Sequence, residues 1–216
     1  MTDFAAARRH MVDGQVRTAD VTDPRLIAAM LDIPRERFMP PAAVPLAYLD
    51  HDAPVGEGGR RLLKPMVLAK LIQAADIGAA DRVLDVGCAT GYGAAVLARL
   101  AGSVIALEQD DNLAKAAAAA LAGFANVTLA NGPLAAGWPQ AAPYDAILLE
   151  GATEVMPQAL CDQLKDGGRL VCVLGAGPGA RAMIYCRYGA ELGARPLFNA
   201  AAPLLPGFAK QPVFAF

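Results

Sequence analysis

The sequence predicts an α/β fold: a doubly wound, mostly parallel sheet of seven strands with a helical cap on its N-terminal side. Three observations carry that expectation. From Arg82 onward, apolar stretches of strand length alternate with helix-length segments. The stretches "DAILL" and "RLVCVL" are apolar almost throughout, as strands are when helices cover both faces of a parallel sheet. The segment "RVLDVGCATGYGAAVLARL" runs an apolar strand into three glycines and then into a helix.

Each element has its own signal. Residues 4–13 suit a short helix. "DPRLIAAMLDIPRERF" suits a second: Thr22 or Asp23 caps it, Pro24 fits its first turn, and Leu26, Ile27, Met30 and Leu31 form one apolar stripe. Pro34, Pro40, Pro41 and Pro45 then break regularity, and "LDHDAPVGEGGRR" reads as a loop. Pro65 opens a helix to about Ile77, turning Met66, Ala69, Leu71 and Ile72 to a core. Strands are expected at 82–86, 103–107, 126–130, 144–149 and 169–174, with helices near 91–101, 111–123 and 155–164. "RAMIYCRYG" and the region around "ARPLFNAAAPLL" supply two last strands, an antiparallel edge pair. The tail carries Leu204, Leu205, Phe208, Val213, Phe214 and Phe216, too much apolar surface for water, so it is expected to pack on the sheet edge. The chain divides into residues 1–78, a helical and substrate-loop region, and 79–216, a nucleotide-binding core.

Composition narrows the function. The chain has 216 residues, 55% of them hydrophobic, enough for a sizeable core. Nineteen Lys and Arg against 21 Asp and Glu give a net charge of −2, no footing for general nucleic-acid binding. Cys88, Cys161, Cys172 and Cys186 lie far apart, and only His10 and His51 accompany them, so no metal site is expected. Buried free thiols in a reducing compartment fit better. The N-terminus lacks the apolar core of a secretory signal, and no stretch reaches the roughly 20 apolar residues of a membrane span. A cytoplasmic monomer or small homo-oligomer, away from membranes, is expected.

The glycines identify a ligand class. Gly87, Gly91 and Gly93 follow a strand and let the backbone turn close to a ligand without Cβ clashes. Their spacing is G-x-x-x-G-x-G, not the G-x-G-x-x-G that seats a pyrophosphate. Asp85 precedes the turn, placed to organise it or to receive an ammonium through water; Cys88, Ala89 and Tyr92 lie within it. Glu108, 21 residues after Gly87, ends the next strand, where a carboxylate accepts ribose hydroxyls; Gln109 follows it. Asn131, followed by Gly132, ends the third strand with an amide suited to an adenine edge. Tyr92 and Trp138 suit packing on the cofactor side. These positions point to S-adenosylmethionine, with S-adenosylhomocysteine as product.

The same residues carry a resemblance. "VLDVGCATGYGAAVLARLAGSVIALEQD" looks like the nucleotide-binding segment of class I methyltransferases, and more narrowly of protein-L-isoaspartate O-methyltransferases, which commonly read V-L-E-I-G-T-G-S-G-Y there. "DPRLIAAMLDIPRERFMP" resembles that family's V-P-R-E-x-F-V-P region, and "AYLDHDAPVG" its A-Y-x-D-x-x-L-P-I-G stretch. "NGPLAAGWPQAAPYDAILL" and "LKDGGRLVCVLG" parallel its later motifs. The resemblance implies a Rossmann-like methyltransferase sheet. It also implies methyl transfer to the free α-carboxylate of L-isoaspartyl residues in damaged protein or peptide, the first step of their repair.

The resemblance breaks at one loop. The family reads G-x-G-Q-T-I-S-Q-P; here "GEGGRRLLKP" puts Arg61, Leu62, Leu63 and Lys64 where Thr, Ile, Ser and Gln stand. Leu63 lacks the hydroxyl that bonds a carboxylate. Arg60, Arg61 and Lys64 are the candidates to replace that contact by charge. The family's Asp at the adenine loop is Asn131, and its Thr after the fourth strand is Glu150. Glu150 beside the methyl group repels a carboxylate and suits an amine or its proton. His51, near the loop in sequence, is a candidate base. Catalytic candidates are therefore Arg61, Leu63, Lys64 and Glu150. Two alternatives stay open: a methyltransferase for another acceptor, an amine or polar small molecule, and a non-catalytic cofactor-binding regulator.

Overall fold

The computed structural model describes residues 3–56 and 59–210. The chain opens with α1 (Phe4–Met11), capped by Asp3, whose carboxylate accepts the Ala6 N–H at 2.9 Å. After a wider π-type turn at Val12–Val16 comes α2 (Pro24–Asp32), with Asp23 as cap and Pro24 in its first turn. The strands β1 (Ala53–Pro54) and β2 (Arg61–Leu62) pair as a short antiparallel hairpin, and α3 (Pro65–Ala75) follows, ending at Asp76 in a left-handed conformation.

The α/β alternation then runs β3 (Arg82–Val86), α4 (Tyr92–Leu97), β4 (Ser103–Glu108), α5 (Asp111–Leu121), β5 (Val127–Asn131), β6 (Tyr144–Thr153), α6 (Gln158–Cys161), β7 (Leu164–Leu174), β8 (Arg181–Tyr188) and β9 (Glu191–Asn199). The sheet order is β5-β4-β3-β6-β7-β8-β9; the first five strands in this order are mutually parallel, and β8 runs antiparallel to both its neighbours. The β8–β9 hairpin is the edge pair that the sequence led us to expect. Strand order reverses between β3 and β6, so a crevice opens beyond their carboxyl ends, the position where open α/β sheets bind ligands.

The apolar strands separate onto two faces with a period of two. Val83, Ala146, Leu148, Val171 and Val173 face the layer of α2, α3, α4 and α5, where Leu26, Met30, Leu68, Leu71 and Leu97 are buried. Leu84, Val86, Ile147, Leu149, Leu170 and Cys172 face the other side, covered by Leu134, Leu160, Leu205 and Phe208. Cys88, Cys161 and Cys172 are buried and Cys186 half-buried, all as free thiols. Among the described residues no helix is long and apolar enough to cross a membrane.

Three expectations need correction. The helix expected at 155–164 shrinks to Gln158–Cys161, because Pro157 delays its start and Leu164 already pairs with Tyr144. The helix expected at 91–101 ends at Leu97, its last residues tightening into turns before Gly102. The tail does not lie on the sheet edge. It crosses the carboxyl end of the central β6: Ala152 N–H donates to Pro203 O at 2.8 Å, Leu205 N–H to Ala152 O at 2.9 Å, and Glu154 N–H to Phe208 O at 3.0 Å. Leu205 and Phe208 are buried, whereas Leu204 is exposed. Val213, Phe214 and Phe216 lie outside the described residues.

Arg169 on β7 ties the cap to the sheet. Its guanidinium donates to the carbonyls of Ala75 and Asp76 at the end of α3, to Asp145 O at 3.1 Å and to Asp81 Oδ2 at 2.6 Å. Removing it orphans several half-buried acceptors at once. Arg169→Ala is expected to lower stability by about 2 kcal/mol in urea unfolding; a loss below about 0.5 kcal/mol would show that water replaces the guanidinium freely.

Candidate functional site

The glycine turn sits beyond the end of β3. Gly87 and Cys88 both donate their N–H groups to Leu107 O on β4, at 2.9 and 3.2 Å, which fixes the turn to the neighbouring strand. Gly87 has φ +78°, a conformation that side-chain-bearing residues rarely adopt, and a Cβ there would lie 2.9 Å from Leu205 Cδ2 and 3.4 Å from Arg60 Nη2. A Cβ on Gly93 would collide with the Glu150 carboxylate. The space these glycines keep open is thus met by three side chains from distant parts of the chain: Arg60, Glu150 and Leu205.

Glu108, at the end of β4, is fully buried and faces Arg60, only 6% exposed. Arg60 Nη1 donates to Glu108 Oε1 at 3.0 Å and Nη2 to Oε2 at 2.8 Å, a two-pronged ion pair. Arg60 Nη2 also reaches Gly87 O at 3.0 Å. Three backbone N–H groups complete the shell: Gln109 at 2.9 Å and Asp110 at 3.1 Å to Oε1, Ala89 at 2.8 Å to Oε2.

Asp85 and Glu150 form a second buried acid pair, across the reversal between β3 and β6. Among the described residues, none of their carboxylate oxygens has a hydrogen-bond donor. Burial, with a smaller push from the charge of Glu108, raises Asp85 to about 7; burial and the neighbouring Asp85 raise Glu150 well above the usual carboxylate range. Both carboxyl groups thus favour the protonated form more than a free carboxylate does. Beside them the buried Arg35 stacks over the Tyr92 ring at 4.7 Å. Arg35 Nε donates to Ala47 O at 2.8 Å and Nη2 to Leu63 O at 2.9 Å, while among the described residues neither Nη1 nor the buried Tyr92 hydroxyl has a partner. Burial raises Tyr92 to about 12.

Asp85, Gly87, Cys88, Ala89, Gly91, Tyr92, Glu108 and Glu150 are thus brought together. The loop candidates are not. Leu63 is buried in the apolar core, with only its carbonyl held by Arg35, so it presents no face to an acceptor. Arg61 is exposed and donates to Asp52 O at 3.0 Å; Lys64 caps α3, its N–H bonded to Asp52 Oδ1 at 2.9 Å. Arg60, expected to meet an acceptor, meets Glu108 instead. The reason is the hairpin: Val55 N–H bonds Arg60 O at 3.1 Å and Pro54 pairs with Arg61, which sends successive side chains to opposite sides.

The third strand contributes less. Asn131 is exposed and donates to Asp111 Oδ1 at 3.1 Å, and Gln109 Oε1 accepts the Leu134 N–H at 3.4 Å. A Cβ on Gly132 would lie 3.3 Å from the half-buried Trp138 ring. His51 is half-buried, its Nδ1 without a partner. Thr90, on the far side of the turn, donates to Phe38 O at 2.6 Å and so fastens the turn to the cap. Two residues that matter here were not picked out from the sequence: Arg35 as a buried cation, and Arg60 as the partner of Glu108. The "PRERF" motif contains Arg35, but nothing local says that it is buried.

A seven-stranded sheet in the order β5-β4-β3-β6-β7-β8-β9, reversing beside a glycine turn and closed by the antiparallel β8–β9 hairpin, has the architecture of the methyltransferase fold. Comparisons narrow the class. The sequence profile of the family described as Protein-L-isoaspartate(D-aspartate) O-methyltransferase (PCMT) matches residues 6–189. Protein-L-isoaspartate O-methyltransferase 1 of Rhodopseudomonas palustris is 43% identical over 185 residues, covering 85% of this chain and 75% of that protein. Protein-L-isoaspartate O-methyltransferase of Opitutus terrae is 43% identical over 170 residues, 78% of this chain and 72% of its own. A solved protein-L-isoaspartate O-methyltransferase superposes with a TM-score of 0.81 at 24% identity, over 93% of this chain and 66% of that one. The chain belongs to the protein-L-isoaspartate(D-aspartate) O-methyltransferase family.

The acid pair gives a signed test. A carboxyl group whose folded-state pKa is raised binds its proton more tightly in the folded than in the unfolded chain, so its stabilising effect is present at low pH and is lost as pH rises through the folded value. Stability should therefore fall between pH 5 and 8, and Glu150→Gln should reduce that fall by about 1 kcal/mol or more in urea unfolding at the two pH values. Parallel curves for the two proteins would contradict the raised value of Glu150.

Proposed function

We propose that this chain is an S-adenosylmethionine-dependent protein carboxyl methyltransferase, acting on the free α-carboxylate of L-isoaspartyl residues in damaged protein or peptide. The observation that carries the reading is the position of Glu108 at the end of β4, beside a glycine turn at the strand-order reversal. The donor set fits the cofactor. Glu108 suits two ribose hydroxyls, Asp85 with its unpartnered oxygens suits an ammonium, and the glycines permit close approach. Asn131, with Gly132 and Gln109 beside it, is assigned to the adenine edge, and Tyr92 and Trp138 to packing on that side. We assign residues 1–78 to the acceptor side and 79–216 to the cofactor core. The free cysteines support a reducing, cytoplasmic setting.

When bound, S-adenosylmethionine supplies an electrophilic methyl group on a sulfonium. The chain's own residues supply position and charge. The acceptor carboxylate has a reference pKa of about 4 and is ionised at neutral pH, so no base is needed. It needs alignment and exclusion of water. Burial and the neighbouring Asp85 push Glu150 toward its neutral form, and the unpartnered Nη1 of Arg35 offsets what charge remains. Arg61 and Lys64 lie on the loop's outer side, suited to a flanking acidic stretch of the acceptor. Leu63 holds the loop against the core.

Two measurements test this. Labelled methyl from S-adenosylmethionine should appear as a base-labile ester on an isoaspartyl peptide and not on its aspartyl counterpart; label on neither peptide would overturn the reading. Glu108→Ala should weaken calorimetric binding of S-adenosylhomocysteine roughly 10- to 100-fold, the loss of one charge-assisted contact, and unchanged affinity in a folded variant would remove Glu108 from the ribose site.

A further inference from the structure

We propose that Arg60 is a built-in competitor for the ribose subsite, so that the cofactor enters only as Arg60 leaves Glu108. This deepens the function proposed above and rests on it. The Glu108 carboxylate already accepts five hydrogen bonds, two from Arg60 and three from backbone N–H groups. A carboxylate offers about four lone-pair sites, so no capacity is left for a diol. The three backbone donors belong to the turn and to the start of α5 and are fixed there; Arg60 is the one donor on a long side chain that can withdraw. It also fills space as well as valence. Its Nη2 bonds Gly87 O at 3.0 Å and lies 3.4 Å from where a Gly87 Cβ would stand, on the side of the turn that the glycine leaves open.

Leu205 closes the same turn from the tail. Its side chain comes within 2.9 Å of a Cβ position on Gly87 and within 2.6 Å of one on Gly151. The tail is held there through Ala152 and Glu154, at the end of the strand that carries Glu150. The hairpin that carries Arg60 and the tail that carries Leu205 therefore meet over one cradle. Any ligand that takes Glu108 must move Arg60, and the apparent affinity of that ligand is reduced in proportion to the fraction of time Arg60 is away from Glu108. A diol brings hydrogen bonds to the carboxylate but no counter-charge, whereas Arg60 brings both, so the competition favours Arg60.

The test uses S-adenosylhomocysteine as probe and reads binding, not turnover. In Arg60→Ala and Arg60→Gln, Glu108 keeps its three backbone donors, and calorimetry should show affinity at least tenfold above the unmodified protein. A double-mutant cycle of Arg60→Ala with Glu108→Gln, followed by urea unfolding without ligand, should show favourable coupling between the two side chains. Equal affinities in all three proteins, or weaker binding by both Arg60 variants with their folds intact, would overturn the competition and leave the cofactor reading standing. Zero coupling would overturn the ion pair itself. Absence of binding by every protein, with the coupling present, would overturn the cofactor reading and the competition together.

Discussion

A carboxylate and a guanidinium buried against each other, Glu108 and Arg60, set the arrangement on which the rest of the site depends. Leaving water costs each ion several kcal/mol, recovered only where the geometry is good and the remaining lone pairs are used. Both conditions hold here: two-pronged contact with Arg60 and three backbone donors to Glu108. Stranding one partner of such a pair typically costs about 3–5 kcal/mol. The pair therefore constrains three segments together. It holds the β1–β2 hairpin down, fixes the turn through Ala89 and Gly87, and fastens both to the end of β4.

The charges around the reversal point balance as a set. Asp85, Glu108 and Glu150 face Arg35 and Arg60, all five buried. Three carboxylates against two guanidiniums leave one negative charge, and the raised pKa values of Asp85 and Glu150 work against carrying it. Read as an isolated ion in the sequence, Glu150 repels a carboxylate; in the structure burial and Asp85 push it toward its neutral form, which removes that objection to the proposed acceptor. Arg35 adds a second function, because its other two contacts bind Ala47 O and Leu63 O and so fix the acceptor loop to the cap.

The parts of this site that were legible in the sequence are those set by local pattern. Alternation of apolar runs placed β3 at its observed span, Arg82–Val86, and the glycines with Glu108 marked the ends of β3 and β4, because strand ends and turns leave short-range signals. Contacts between distant segments left none. Arg60, Arg61 and Lys64 are equivalent cations along the chain, and only the pairing of Pro54 with Arg61 decides which points inward. Leu63 was expected at the acceptor by its place in a motif, yet it is buried in the core, its carbonyl held by Arg35. The tail's apolar residues announced burial but not location, since both an edge and a strand end offer apolar surface. The helix expected at 155–164 failed for a related reason: strand β7 extends back to Leu164 through a register shift that no periodicity shows.

The central claim is that the crevice between β3 and β6 receives the nucleoside, with the turn and the end of β4 in contact with it. Backbone amide resonances followed during titration with S-adenosylhomocysteine test this most directly. The account predicts the largest shifts at Gly87, Ala89, Gly91, Gln109 and Asp110, with the β8–β9 hairpin little changed. Saturation with the largest shifts elsewhere and these five amides unmoved would contradict it.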